Sequence, residues 1–369
     1  MPHLVAAPDK FRGTASARDI AGAVERAALA AGWTCAPLPM ADGGEGTLDA
    51  LGGSRRVTRV RGPLGHEVDA EWRLVRSEDG LTAVIEMARA SGLELVGGPK
   101  GNDPVAASTA GTGQLIVAAI AAGARRVLVG CGGSATTDGG LGAVEALGGL
   151  GARSSARLAG VELVVACDVT TRFVDAAPIF APQKGATPAQ VALLERRLLR
   201  LAERYADERG VEVRDLPGSG AAGGLAGGLA ALGATLVPGF DVVADATGLA
   251  PALAEAQLVV TGEGHLDAQS LEGKVVGGVT ALATAAGVPA LVVVGDGDRG
   301  VGAGLSTSGA TAVYLVDEVG VERAFADPVG AVERVVADRL AGFARVPGSR
   351  DPSPDGNGEP GPQAPRRRR

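Results

Sequence analysis

The chain has 369 residues, 46% hydrophobic and 21% charged, with a formal net charge of -7. That length suits about two domains with sizeable cores, while the acidic balance and the 3% aromatic content argue against a polyanionic partner and against base-stacking on single-stranded nucleic acid. No apolar stretch is long enough to span a membrane, Met1 to Lys10 lacks the basic and apolar regions of a signal peptide, and the three widely spaced cysteines (Cys35, Cys131, Cys167) form neither a disulfide framework nor a zinc pattern; a cytoplasmic protein is expected.

Residues 4–7 read as a first strand, and Ser16 with Asp19 gives capping-box spacing for a helix carrying Ile20, Val24 and Ala27 on one face. Residues 35–40 form a second strand, followed by the glycine–acid turn Ala41-Asp42-Gly43-Gly44-Glu45-Gly46-Thr47 and another helix. A β–α–β–α opening is the mark of a parallel α/β sheet. The texture then changes to short alternating runs at 57–60, 68–75 and 81–87, an antiparallel meander. A helix over 109–122 and a strand over 127–129 lead into the glycine-rich turn 130–140 and a helix over 141–147. Residues 161–166 form a strand ending at Cys167-Asp168. The turn 182–185 precedes a helix opened by Thr187-Pro188. The glycine turn 218–224 enters an alanine-rich helix. Strands at 258–261, 290–294 and 312–316 alternate with the turn 262–267 and helices over 275–286 and 331–340.

The fold class predicted is α/β with two α/β domains and a cleft between them. A discontinuous Rossmann-like parallel-sheet domain is built from 1–58 and 246–345. A mixed-sheet α/β domain, 59–245, is inserted into it, and 346–369 is a disordered tail by composition. Ligands of open α/β sheets lie beyond the carboxyl ends of the strands. Asp9, Asp42, Glu45, Glu263 and Asp267 fall there.

Gly218-Ser219-Gly220-Ala221-Ala222-Gly223 has the spacing of a dinucleotide fingerprint, but Arg214-Asp215-Leu216-Pro217 before it is a poor strand, so the context fails. The chain has no P-loop motif and no G-x-S-x-G elbow. What recurs is a strand, a glycine turn, a carboxylate and a helix. Glycines let phosphates approach backbone N–H groups, and carboxylates hold magnesium. One carboxylate can take the proton of an attacking hydroxyl, and cations stabilise a transferring phosphoryl group. These are the parts of a phosphoryl-transfer site.

The segments Ala7-Pro8-Asp9-Lys10-Phe11-Arg12-Gly13, residues 40–47, residues 132–140, Ala166-Cys167-Asp168-Val169, Pro182-Gln183-Lys184-Gly185-Ala186, residues 217–224, and residues 261–267 with Gly273-Lys274 together resemble the glycerate kinase family of the bacterial type-1 class. The likeness covers residues 7 to about 296. It implies ATP-dependent phosphorylation of D-glycerate, commonly to 2-phosphoglycerate, in an interdomain cleft, with ATP and Mg2+ as co-substrate and cofactor. Small molecules are then the partners, with no nucleic acid and no membrane, and homo-oligomerisation is left open. A kinase of another small hydroxy acid, or a catalytically weak nucleotide-binding regulator, is the alternative. The chain departs from the family pattern at Lys10 (usually Ser), Arg12 (usually Lys), Thr137 (usually Asn), Thr170-Thr171-Arg172-Phe173 (usually Asn-Pro and a longer loop) and His265 (usually Arg).

The resemblance and the carboxylate chemistry nominate Asp168 as base, with Asp42 and Lys184 as further catalytic groups. Substrate and phosphate contacts are expected from Asp9, Arg12, Gly43, Gly44, Gly132, Gly133, Ser134, Thr136, Gly220, Gly223, His265 and Lys274. Glu45, Asp138, Glu263 and Asp267 are the expected metal ligands. Each has a plainer alternative: Asp42, Glu45 and Asp138 as helix caps, Asp168 as a turn former, and Lys184 as a solvated lysine.

Overall fold

The computed structural model describes residues 1–343 except Arg12, Glu78, Asp79 and Glu272; the expected disordered tail lies outside the described residues. Strands β1 (His3–Ala6) and β2 (Thr34–Pro37) open the chain. Six strands follow from its middle: β3 (Ser54–Arg61), β4 (Glu67–Ser77), β5 (Gly80–Glu86), β6 (Arg126–Gly130), β7 (Glu162–Cys167) and β8 (Thr235–Pro238). The last three are β9 (Leu258–Leu266), β10 (Ala290–Gly297) and β11 (Ala310–Tyr314). Two sheets result. One has the order β11-β10-β9-β1-β2 and is parallel throughout. The other, β3-β4-β5-β6-β7-β8, is antiparallel from β3 to β5 and parallel from β5 to β8.

Alternation along β1 explains the layering of the first sheet. Leu4 and Ala6 face one core with Ile20 and Val24 of helix Ala17–Ala30 and Val332, Val335 and Leu340 of helix Pro328–Phe343. Val5 and Ala7 face the opposite core with Val243, Val276 and Val279. Both faces of the parallel sheet are therefore covered by helices, as the apolar runs of β1, β9 and β10 at 4–7, 258–260 and 290–294 require. The expected capping box is formed, with Asp19 N donating to Ser16 Oγ at 3.1 Å and Ser16 N to Asp19 Oδ2 at 3.3 Å. Thr187 and Gln190 form a second one, with Pro188 at the first helical position.

Some elements differ from the sequence expectation. The stretch expected as the turn 262–267 instead prolongs β9 to Leu266, because β10 runs on beside it and pairs Asp296 with His265 and Gly297 with Leu266. Strand β8 and the helices Ala152–Leu158, Gly239–Thr247 and Leu249–Glu255 are elements that the sequence reading does not place. The expected strand 312–316 lies at Ala310–Tyr314, and the chain turns helical at Leu315–Val319.

The two sheets meet through backbone. The loop after β2 enters between the ends of β6 and β7. A Cβ on Gly43 would lie 3.0 Å from both Ala166 Cβ and Gly239 Cα, and one on Gly132 would lie 2.7 Å from Gly44 Cα. A Cβ on Gly130 would overlap the Gly43 carbonyl oxygen, and one on Gly239 that of Asp42. Gly239→Ala is expected to lower stability by about 1–3 kcal/mol, the usual penalty for forced overpacking, as a fall in the urea midpoint. Gly304→Ala, where a Cβ meets open space, is the control and should leave that midpoint unchanged or raise it slightly.

Candidate active site

In the first sheet the chain leaves β1 toward β2 and leaves β9 in the opposite direction, toward β10 and β11. Beyond the carboxyl ends of β1 and β9 such a reversal opens a crevice. Asp9 is placed there by ladder-like bonds, Ala7 N to Val260 O at 2.8 Å and Asp9 N to Gly262 O at 2.9 Å. Glu263 stands on β9 beside it. Asp42 arrives on the loop after β2, its Oδ1 accepting Gly44 N at 3.0 Å. Asp168 follows β7 of the second sheet.

These four carboxyls form one electrostatic group with Lys10 and Lys274. Burial pushes Asp9 up to about 7; Lys10 opposes this, and Asp42 and Glu263 add to it. Burial likewise raises Glu263 to about 7, with Ser270 and Lys274 offsetting only part and Asp267 and Asp42 adding. One Glu263 oxygen, Oε1, is buried without a hydrogen-bond partner. Asp168 is exposed as a residue at the cleft mouth, yet loss of solvent around its carboxyl, then the charge of Asp42, raise its pKa, with Lys274 and Lys10 opposing. Acids that hold one another's protons in this way are short of positive charge.

The Asp42 loop is clamped from the other sheet. Gly46, the N-cap of helix Thr47–Leu51, has no side chain to cap with, and neither Asp42 nor Glu45 supplies a cap. Glu86, at the end of β5 and 3% exposed, accepts from Gly46 N at 2.9 Å and Leu48 N at 3.1 Å through Oε1, and pairs with Arg89 Nε at 3.1 Å through Oε2. Sequence reasoning assigned Glu86 no functional role, because its partners lie 40 and 38 residues away. Lys10 Nζ adds a bond to the Glu45 carbonyl at 2.6 Å. The Glu45 residue itself is exposed.

The glycine-rich turn after β6 is held from inside. Lys184, 3% exposed, donates to Ser134 Oγ at 2.8 Å and to the Thr136 carbonyl at 2.6 Å. Burial pushes its pKa down to about 7, with Asp138 opposing. It is thus a buried brace for the loop, where a solvated lysine or a direct phosphate contact was expected. Asn102 Nδ2 ties the Ala135 and Lys184 carbonyls together, each at 3.0 Å. Asp138, expected as a metal ligand, is saturated by capping bonds: Oδ2 accepts Thr109 N and Thr109 Oγ1 at 2.8 Å and Gly142 N at 3.2 Å, and Oδ1 accepts Gly140 N at 3.1 Å. It joins the starts of helices Ala110–Ala121 and Leu141–Leu147.

Gly220 and Gly223, expected at a phosphate, pack against protein backbone. A Cβ on Gly220 would overlap the Arg172 carbonyl and one on Gly223 that of Thr136. Ala222, Gly223 and Gly224 take left-handed φ values of 54°, 68° and 91° to pass behind the loop. On its front, the N–H groups of Gly132, Gly133 and Ser134 donate no hydrogen bond among the described residues, as an anion-binding nest requires. Gly43, Gly44 and Gly132 line the seam between the sheets. Asp267 closes a turn by accepting Ser270 N at 3.1 Å, and His265 is exposed opposite Asp296. Lys274 is the N-cap residue of helix Val275–Ala286. Arg12 lies outside the described residues. Among the described residues no group of three His, Cys, Asp or Glu side chains is arranged to hold a metal ion, and no helix is long and apolar enough to cross a membrane.

A two-sheet α/β protein with a carboxylate-and-lysine crevice and a flanking glycine loop is what fold and site define. The family model described as the glycerate kinase family matches residues 4–155 and 150–341. A glycerate kinase of Halalkalibacterium halodurans is 41% identical over 333 residues, covering 81% of this chain and 87% of that protein. Glycerate 2-kinase of Escherichia coli K12 is 40% identical over 326 residues, covering 79% and 85%. A glycerate kinase 2 crystal structure from Salmonella typhimurium LT2 superposes with a TM-score of 0.77 at 36% identity, covering 93% of this chain and 99% of that one. The chain belongs to the glycerate kinase family and is an enzyme.

Glu86→Ala is expected to lower stability by about 1–2 kcal/mol through the lost cap and to cut kcat for glycerate phosphorylation at least about tenfold by freeing the Asp42 loop. Glu86→Gln, which keeps an acceptor for Gly46 and Leu48, should recover most of both. Kinetics and urea melts of the two variants check this.

Proposed function

We propose that the chain is an ATP-dependent glycerate kinase of the cytoplasm, transferring the γ-phosphoryl group to D-glycerate and giving 2-phosphoglycerate. The observation that carries the proposal is the convergence of Asp9, Asp42, Asp168 and Glu263 with Lys10 and Lys274 at the strand ends, one electrostatic group drawn from both sheets. The family membership and the names of the relatives support the substrate.

Asp168 acts as base. Its raised pKa brings it closer to neutrality, where a carboxylate accepts a hydroxyl proton with a better driving force. Asp42, held by Gly44 N, orients the acceptor hydroxyl. Lys10 and Lys274 stand beside the acids and stabilise charge on the transferring phosphoryl group, and the free N–H groups from Gly132 to Ser134 receive phosphate oxygens. The residues present fit a magnesium ion. The donor set is hard carboxylate oxygen, burial and also the charge of Asp42 raise the pKa values of Asp9 and Glu263, and a Glu263 oxygen is buried without a partner. No three of these carboxyls are arranged to hold the ion by themselves, so Glu263, with its unpartnered oxygen, would meet a magnesium ion held chiefly by the substrate phosphates and water; Glu45, Asp138 and Asp267 are not used. When bound, magnesium supplies positive charge that offsets that of the phosphates.

Phosphorus NMR of a mixture of chain, ATP, Mg2+ and D-glycerate should show 2-phosphoglycerate with stoichiometric ADP. A 3-phosphoglycerate signal would reassign the hydroxyl, and a faster acceptor in a hydroxy-acid panel would reassign the substrate.

Glu263 also makes a stability prediction. Its folded pKa, about 7, lies above the unfolded value near ~4.3. Between those values the folded state binds the extra proton, so this group's contribution to stability falls as pH rises from about 4 to about 7 and is flat above. Glu263→Gln should therefore raise the melting temperature relative to the unmutated chain more at pH 8 than at pH 5, while abolishing turnover.

A further inference from the structure

Cys131 and Cys167 have no part in the reading above, yet the fold sets them side by side at its centre. Cys131 follows β6 and Cys167 ends β7. The two strands are parallel, with Gly130 opposite Ala166. Cys131 N donates to the Ala166 carbonyl at 3.1 Å, which continues the ladder by one step and sets Cys131 opposite Cys167. Residues paired across parallel strands point to the same face, and both cysteines pack into the same core. Both thiols are free, Cys131 half-buried and Cys167 buried. A small oxidant therefore meets Cys131 first and finds Cys167 behind it.

The pair also sits on the seam between the sheets. Its chain neighbours are Gly130 and Gly132 on one strand end and Ala166 and Asp168 on the other. Gly130 and Ala166 abut Gly43, and Gly132 abuts Gly44 of the Asp42 loop. Paired positions on neighbouring strands stand about 4.8 Å apart, whereas a disulfide holds its two Cβ atoms at about 3.8 Å. Closing such a bond draws the ends of β6 and β7 together by roughly 1 Å. Backbone already in contact at the glycines has no slack for that movement, so it passes to the glycine-rich loop and to Asp168. A displacement of about 1 Å at a reacting centre costs on the order of a hundredfold in rate.

We propose that Cys131 and Cys167 form a reversible disulfide that switches the enzyme off when it meets a peroxide. The Cys131 sulfur attacks hydrogen peroxide, its S–O bond forming as the O–O bond breaks, and the thiol proton leaves with the first water. The Cys167 sulfur then attacks the Cys131 sulfur. The S–S bond forms, the S–O bond breaks, and the hydroxyl leaves as a second water with the Cys167 proton. Two electrons pass from the sulfurs to the peroxide, and an added dithiol returns them by exchange. Burial, then Asp168, raises the Cys167 thiol to about 11. Burial, then Cys167 and Asp168, raises Cys131 against the opposing charge of Lys184. The reacting thiolate is therefore scarce at neutral pH, and the switch closes slowly there and faster in alkali.

The test exposes the full chain to hydrogen peroxide, measures glycerate phosphorylation, then denatures the protein, alkylates it with N-ethylmaleimide and weighs it. Cys35→Ala removes the remaining cysteine and serves as the parent. Cys131→Ala and Cys167→Ala, each added to that parent, are the controls, and unchanged thermal transitions confirm their folds. The treated parent should lose both alkylation sites and the mass of two hydrogen atoms, yield a peptide cross-linked through Cys131 and Cys167, and fall in turnover at least about tenfold. Dithiothreitol should restore all of these. Each control should keep most of its own rate through the same treatment. Absence of the cross-linked peptide, a cross-link with turnover undiminished, or equal loss of turnover in the controls overturns the proposal. The rate of the untreated chain tests the reading of function, and the cross-link with its effect on that rate tests this inference.

Discussion

The architecture depends on one contact between main chains: the loop after β2 wedged against the ends of β6 and β7. Its closeness is set by the absence of side chains at Gly43, Gly130, Gly132 and Gly239. Backbone at that distance cannot slide without collision, so the Asp42 carboxyl of one sheet is fixed relative to Asp168 of the other. Glu86 completes the constraint from the second sheet by taking up two N–H groups at the start of the following short helix. A five-residue helix is too short to be stable alone. Its geometry is imposed by its neighbour, and the reactive loop inherits that rigidity.

Rigidity of this kind brings like charges together. Asp9 and Glu263 are held where burial and neighbouring acids keep their protons to about 7, a state the folded chain would relieve if the loops could part. They cannot, because the glycine contacts and the parallel register of β1 with β9 hold them. The site is therefore tuned to attract positive charge. The same logic operates in reverse at Lys184, whose ammonium is buried and whose pKa is lowered, but whose oxygen partners justify its place. One buried cation stiffens the glycine loop, and several half-buried anions wait opposite it.

Much of this was legible in the sequence. Ser16 with Asp19, and Thr187 with Pro188, announce helix starts by local chemistry that survives folding unchanged. The apolar runs of β1, β6, β7, β9 and β10 are long and uniform enough to read as buried strands, and the carboxylates after β1, β2 and β7 follow from the rule that α/β ligands lie beyond strand ends. What could not be read is non-local. Glu86 resembles any acid closing a strand until the helix it caps is placed beside it. Asp138 offers the spacing of a metal ligand, yet its four donors include Thr109, 29 residues earlier. The extension of β9 through Gly262 and Gly264 contradicts local propensity and is decided by the partner strand β10.

The glycine turns show why a motif underdetermines a role. The turns after β2 and β6 combine strand, glycine and helix, and from sequence alone the glycines of each suit a phosphate. The structure divides them by what a Cβ would strike. At Gly220, Gly223 and Gly132 it strikes protein backbone, so those positions are glycine because two main chains touch. At Gly133 the nearest obstacle is the Ala88 Cβ, 3.3 Å away, and the residue adopts a φ of 68°. There the requirement is the left-handed turn itself, which aims successive N–H groups outward. The same turn thus contains two kinds of glycine: one closes the protein upon itself, and the other leaves donors open at the mouth of an acidic crevice. Only the second kind is a reason to expect an anion. It is confined to one loop, whose Gly132 abuts Gly44 of the Asp42 loop and which Lys184 braces from within, at the seam between the sheets.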